Sequence, residues 1–142
     1  MIRRFQENDL DEVMSIWITA NMEAHPFIAS DYWKDNFESV RRMIPSAEVF
    51  VSEVEGQVNG FIGMIDHYIA GIFVKGSERS KGIGTHLLNT AKKEKEALSL
   101  QVYKKNKKAV LFYQHAGFKI EAEKLDEDTA EMEYRMVWYR SI

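Results

Sequence analysis

Hydrophobic and polar positions divide the chain into short apolar runs and amphipathic stretches. Residues 2–5, Ile-Arg-Arg-Phe, read as a short first strand. Leu10, Val13, Met14 and Trp17 then recur at helical spacing, with Asn8 or Asp9 placed to cap that helix and the stripe facing the core. Residues 21–28 break the period, because Pro26 forces an extended or turn conformation on His25. A second helix starts at Ser30 or Asp31, carries Tyr32, Trp33, Phe37, Val40 and Ile44, and stops at Pro45. Residues 49–51 and 58–65 predict a hairpin around a turn at 53–57. Asp66-His67 predicts a second tight turn, leading into an apolar, buried strand that ends at Val74. A polar loop follows, then Gly82 and Gly84, then a helix patterned by Ile83, Leu87, Leu88 and Ala91. A strand at 98–103, a helix at 107–116 ended by Gly117, and strands at 118–122 and 132–139 complete the pattern. The last two strands are joined by an acidic loop. This order predicts one α/β (α+β) domain over residues 1–142, with a mixed, mostly antiparallel sheet.

The strand, glycine loop and helix start around Val74 to Leu88 form an anion site. The first amides of a helix lack internal partners, the helix dipole adds partial positive charge, and glycines let a phosphate approach the backbone. A pyrophosphate suits that loop. A nucleotide-hydrolysing P-loop is excluded, since Thr85 and His86 follow the glycines where Lys-Ser/Thr is required. A dinucleotide fingerprint is excluded too, since its third glycine would fall at Leu87.

Arg79-Ser80-Lys81-Gly82-Ile83-Gly84 resembles the Arg/Gln-x-x-Gly-x-Gly/Ala acyl-CoA motif of the GNAT N-acetyltransferase superfamily. Asn106, Ala109, Phe112, Tyr113, Gly117 and Phe118 resemble its Asn-x-x-Ala-x-x-Phe-Tyr-x-x-x-Gly-Phe signature. His25-Pro26-Phe27-Ile28, with Tyr32-Trp33 behind it, is similar to a small bacterial subgroup of that superfamily, and the likeness runs over essentially the whole chain. The resemblance implies a sheet of about six to seven strands and about four helices. It also implies two central strands that splay apart around acetyl-CoA.

On that resemblance, Ile72, Phe73 and Val74 lie along the pantetheine arm, with an amide of their strand on the developing oxyanion. Arg79, Ser80, Lys81, Gly82, Ile83, Gly84 and Thr85 surround the pyrophosphate. Asn106 contacts the arm, caps its helix, or does both. Tyr113, from periodicity a core aromatic, becomes the general acid for the departing thiolate, a phenol being protonated at neutral pH. An ammonium must lose a proton before it attacks. His25 is the first candidate base, followed by Asp66, His67 and Glu23. Phe27, Tyr32, Trp33 and Tyr68 are candidate walls of the acceptor pocket.

Composition narrows the rest. With no cysteine there is no thiolate metal site, disulfide or Cys nucleophile, and no spaced His/Asp/Glu set calls for a metal. A formal charge of −3 gives no support for nucleic-acid binding. The start of the chain turns acidic at once, without a signal-peptide core, and no apolar run reaches membrane-spanning length. The expectation is a cytoplasmic acetyl-CoA-dependent N-acetyltransferase, monomer or homodimer, that acts on a protein lysine, an N-terminus or a small amine. The acidic residues at 121–133 favour a cationic acceptor. The alternative is a non-catalytic acyl-CoA-binding or interaction module.

Overall fold

In the computed structural model, which describes residues 1–79 and 81–141, the apolar runs become seven strands and the amphipathic stretches four helices. In chain order these are β1 (Ile2–Arg4), α1 (Leu10–Ala24), α2 (Ser30–Met43), β2 (Glu48–Val54), β3 (Gln57–Ile65) and β4 (Tyr68–Val74). They continue with α3 (Ile83–Glu94), β5 (Ala97–Tyr103), α4 (Lys107–His115), β6 (Lys119–Asp126) and β7 (Glu131–Tyr139). The strands form one sheet in the order β1-β2-β3-β4-β5-β7-β6, antiparallel everywhere except between β4 and β5. Among the described residues, no helix is long and apolar enough to cross a membrane.

Side chains alternate between two cores. Phe61 of β3 joins Val13, Met14, Trp17 and Trp33 from α1 and α2 on one face. Its neighbour Ile62 joins Leu87, Leu88, Leu98 and Met136 on the face covered by α3 and α4. Burial on both faces explains why β3 reads as a continuous apolar run rather than an alternating one.

Several local expectations change. Asp9 does not cap α1. A single 3-10 turn precedes the helix, and the carboxylate instead accepts from the Gln6 amide at 2.8 Å and from both terminal nitrogens of Arg3 at 2.8 and 2.9 Å. Arg3 also donates to Glu53 on β2 (2.8 and 2.6 Å), so a long-range ion triad outcompetes the local cap. The first hairpin turns on only two residues, Glu55 (φ 53°) and Gly56 (φ 80°), the positive-φ pair of the tightest hairpin turns. The acidic segment at 121–133 is not a loop. Glu121, Glu123 and Asp126 lie on β6 and Glu131 and Glu133 on β7, and the polar pattern reflects an edge strand with both faces exposed. Nor is β4 buried along its length: only Ile69 is, because one edge of the strand opens beyond it.

Candidate active site

The opening begins where β4 and β5 part. Their parallel ladder has two rungs, Tyr68↔Ser99 and Ile69↔Leu100. Beyond these, β4 stays paired with β3 as far as Val74, and β5 with β7 as far as Tyr103. Two strand edges therefore diverge with backbone donors and acceptors unused between them, which is costly inside a protein unless a ligand takes them. On the other edge of β4, Gly63 pairs with Gly71 and Met64 with Ile69, so Ala70 is the extra residue of a bulge beside the opening. The side chains of Ile72 and Phe73 are committed to packing. Ile72 goes to the α3/α4 core, and Phe73 stacks 5.1 Å from Phe61. What these residues and Val74 offer a ligand is main chain.

At the wide end of the opening sits the glycine loop. Gly82 is in the left-handed region (φ 81°) at the start of α3, where a side chain would be strained. A Cβ at Gly84 would meet Phe112 of α4 at 3.4 Å and Ile72 at 4.0 Å, so the missing side chain brings the start of α3 against α4 and β4. Ile83 and Thr85 share that first helical turn, whose amides project free by geometry. Of the basic side chains, Arg79 binds Glu23 at the end of α1 (3.2 Å) and Lys81 binds Glu78 (2.7 Å), both at the surface. Ser80 lies outside the described residues.

Tyr113 projects from α4 and is buried between Phe112 (5.2 Å) and Phe118 (5.5 Å). Its hydroxyl has no hydrogen bond among the described residues. Burial, with a smaller contribution from Tyr68 across the opening, holds its pKa well above that of an ordinary phenol. The group stays protonated throughout the working pH range.

His25 is fixed from every side. Nδ1 lies 2.9 Å from the Asn21 carbonyl, which only an N–H can satisfy. The proton is therefore assigned to Nδ1, leaving the Nε2 lone pair to accept from Asn106 Nδ2 at 3.3 Å. The ring stacks on Trp33 (5.1 Å) and meets Tyr103 edge-on (5.2 Å). Burial lowers its pKa, opposed in part by the Asn21 carbonyl. Asn106, at the N-cap of α4, uses Oδ1 to accept the Ala109 amide (3.3 Å), so its side chain couples the helix carrying Tyr113 to the end of α1.

The face opposite α3 and α4 carries the remaining candidates. Tyr68 donates to Gln101 of β5 (3.4 Å), and Phe27 packs 6.0 Å from Tyr103. Tyr32 is half-buried beside Tyr103 and Asp126; burial, then the charge of Asp126, raises its pKa, and Tyr103 opposes that rise. Trp33 is only 7% exposed and backs His25 from within the core. Asp66 and His67 form the exposed turn just before Tyr68.

Sequence reasoning did not single out Tyr103, which donates to Asp126 Oδ2 at 2.7 Å, Gln101, or Glu133 directly opposite Tyr103 on β7. The one local signal was the alternation at 132–139, which puts 133, 135 and 137 on one face of a strand.

Residues 45–120 match the family model described as an acetyltransferase (GNAT) domain. The chain is 34% identical to the peptidyl-lysine N-acetyltransferase YiaC of Escherichia coli K12 over 122 residues, 84% of each chain. The solution structure of apo-form YjaB from Escherichia coli superposes with a TM-score of 0.86 at 24% identity, covering 99% of this chain and 98% of that one. An aminoglycoside 6'-N-acetyltransferase complexed with coenzyme A superposes with a TM-score of 0.78 at 16% identity, covering 100% and 99%.

Proposed function

The chain belongs to the GNAT acetyltransferase family, and on that footing we propose that it transfers acetyl to a peptidyl lysine by direct attack of the amine. It is an acetyl-CoA-dependent N-acetyltransferase. The acceptor class rests on the likeness to YiaC, on carboxylates beside the opening and on half-buried aromatic walls at Phe27, Tyr32 and Tyr68. A lysine side chain brings both an alkyl stem and a cation to such a surface.

The observation that carries this reading is the two-rung β4–β5 seam with Tyr113 beside it. Acetyl-CoA supplies an acyl group activated as a thioester, with a thiol to leave. The main chain of Ile72, Phe73 and Val74 pairs with its arm, and a β4 amide beside the bulge stabilises oxygen charge as it develops. Gly82, Ile83, Gly84 and Thr85 give the pyrophosphate backbone N–H groups and the positive end of α3, while Arg79 and Lys81 add charge nearby. Tyr113 protonates the departing sulfur. His25 positions Asn106 rather than accepting a proton, because its lone pair is already engaged. Asn106 holds the start of α4 and keeps one amide hydrogen for the arm. A cysteine-free chain using a metabolic thioester suits the cytoplasm.

Calorimetric titration with acetyl-CoA tests the donor site, with Gly82→Trp as control. Micromolar binding in the wild type, lost in a folded Gly82→Trp variant, is expected. A folded wild type that takes up no acetyl-CoA defeats the assignment.

A further inference from the structure

Direct attack needs a group to take the proton that the amine sheds, and the described residues leave one carboxylate placed for it. Directly opposed residues of an antiparallel pair share a face. Glu133 of β7 therefore stands on the same face as Tyr103 of β5, and Gln101, which accepts from Tyr68, stands opposite Arg135 two residues further along. That face carries Tyr68 and Tyr103, the latter donating to Asp126, while Tyr113 lies on the α4 side with Tyr68 as its charged-form neighbour. Among the described residues, the neighbouring acids on strands β6 and β7 are taken, and Glu127 and Asp128 stand exposed in the turn between them. Glu121 binds Arg135, Glu123 binds Lys104 and Glu131 binds Lys105, while Asp126 accepts from Tyr103 and Thr129. Glu133 is half-buried, yet among the described residues no ion pair or hydrogen bond holds it. A carboxylate withdrawn from water without a partner is unfavourable, and an incoming ammonium relieves that cost.

We propose that Glu133 is the proton acceptor for the attacking amine. The proposal rests on the acetyltransferase reading above and names the residue that this reading left open. Of the other candidates, His25 Nε2 is engaged by Asn106 and Glu23 by Arg79, while Asp66 and His67 sit on the exposed turn before Tyr68, away from the face shared by Tyr103 and Glu133. The incoming ammonium gives one proton to Glu133, which passes it to water. The neutral amine then attacks, and as the N–C bond forms and the C–S bond breaks the nitrogen's second proton follows the same route. The sulfur takes its proton from Tyr113, which recovers one from solvent, so the products are an amide and a free thiol.

The groups facing Glu133 are Tyr68 from β4, Tyr32 from α2, Tyr103 from β5, and Lys124 and Asp126 from β6, with Arg135 on its own strand. Burial, then the charge of Asp126, lifts its carboxyl above the ordinary range, and Lys124 opposes that rise. The basic form is therefore lost as pH falls through a pKa higher than that of a free glutamate.

The test compares wild type, Glu133→Gln and Asp126→Asn, using acetyl-CoA with N-α-acetyl-lysine amide and with a mixed-sequence peptide pool carrying a central lysine. Glu133→Gln is expected to lower kcat/KM by ~10²–10⁴-fold, the usual contribution of a general base, while calorimetry finds acetyl-CoA binding unchanged. The acid limb of the wild-type pH profile disappears in Glu133→Gln and moves to lower pH in Asp126→Asn. Independently of turnover, carbon-13 NMR of the labelled carboxyl should show Glu133 titrating above the ordinary range, with its midpoint falling when the lysine amide is added. A Glu133→Gln variant within about threefold of wild type, an ordinary titration, or a wild type that binds acetyl-CoA but acetylates neither probe overturns the proposal. If the wild type fails to bind acetyl-CoA, it is the acetyltransferase reading that falls.

Discussion

The two halves of the sheet are built to different standards. In the half running from β1 to β4, β3 is buried from Val58 to Met64 without a break, under α1 and α2 on one face and α3 on the other. In the other half, β6 is exposed at every residue but Asp126, and β7 buries only Met136. In the first half, β2 and β3 form a scaffold that is largely buried. The second leaves one face of β5 and β7 open, lined by polar and phenolic side chains. The candidate site lies along the boundary, where the proposed function puts the donor between the strands and the acceptor on the uncovered face.

That contrast can be broken in five places. Tyr113→Phe, at the boundary, should cut turnover at saturating substrates by ~10²–10⁴-fold, the range of general acid catalysis, and leave thermal unfolding nearly unchanged. CoA release measures it, and an unchanged rate removes the role. Because burial raises the Tyr113 pKa, the acid form persists as pH rises through the ordinary tyrosine range, so any alkaline decline in rate up to about pH 10 belongs to another group. Phe61→Ala, inside that scaffold, should cost ~3–5 kcal/mol in urea unfolding.

Asp9→Asn should cost ~1.5–3 kcal/mol, the worth of hydrogen bonds to a charged partner. Arg3 holds the Asp9 pKa below its ordinary 3.8, so the carboxylate stabilises the fold fully above that value and loses its contribution as pH falls below it. Unfolding series from pH 5 to 2 should therefore show the wild-type advantage over Asp9→Asn shrinking towards the acid end. His25→Leu should raise KM for acetyl-CoA by ~2–10-fold, one neutral hydrogen bond's worth, with kcat less affected. His25→Gln, which can still accept from Asn106, should recover most of that; equal loss in both variants would end the positioning role. Ile120→Thr, on the open edge and 42% exposed, should stay within ~0.5 kcal/mol of wild type.

Residues that announce their structure locally were legible in the sequence. The helical stripes, the strand entering Gly82 and Gly84, and the motif around Tyr113 all carry their own signal within a dozen positions. What stayed hidden depends on partners far along the chain. Asp9 looked like a cap because nothing local shows Arg3 turning back to it while also reaching Glu53. The contact of His25 with Asn106, which underlies the positioning role proposed for it, spans 81 positions. The acidic run at 121–133 looked like a loop because an edge strand exposed on both faces loses the alternation that marks a half-buried one. Glu133 could not be told from its neighbours until the β5–β7 register set it opposite Tyr103.

The two-rung seam also has a mechanical side. Every other junction in the sheet is an antiparallel ladder with more rungs, so the seam is the junction with the fewest backbone bonds, held mainly by the core that α3 and α4 pack across it. On the proposed function, a donor laid between the strands supplies the absent rungs and ties the two edges together. By mass action, acetyl-CoA at a hundredfold over its Kd adds about 2.7 kcal/mol against unfolding. Donor abundance is thereby converted into rigidity of the surface that meets the acceptor.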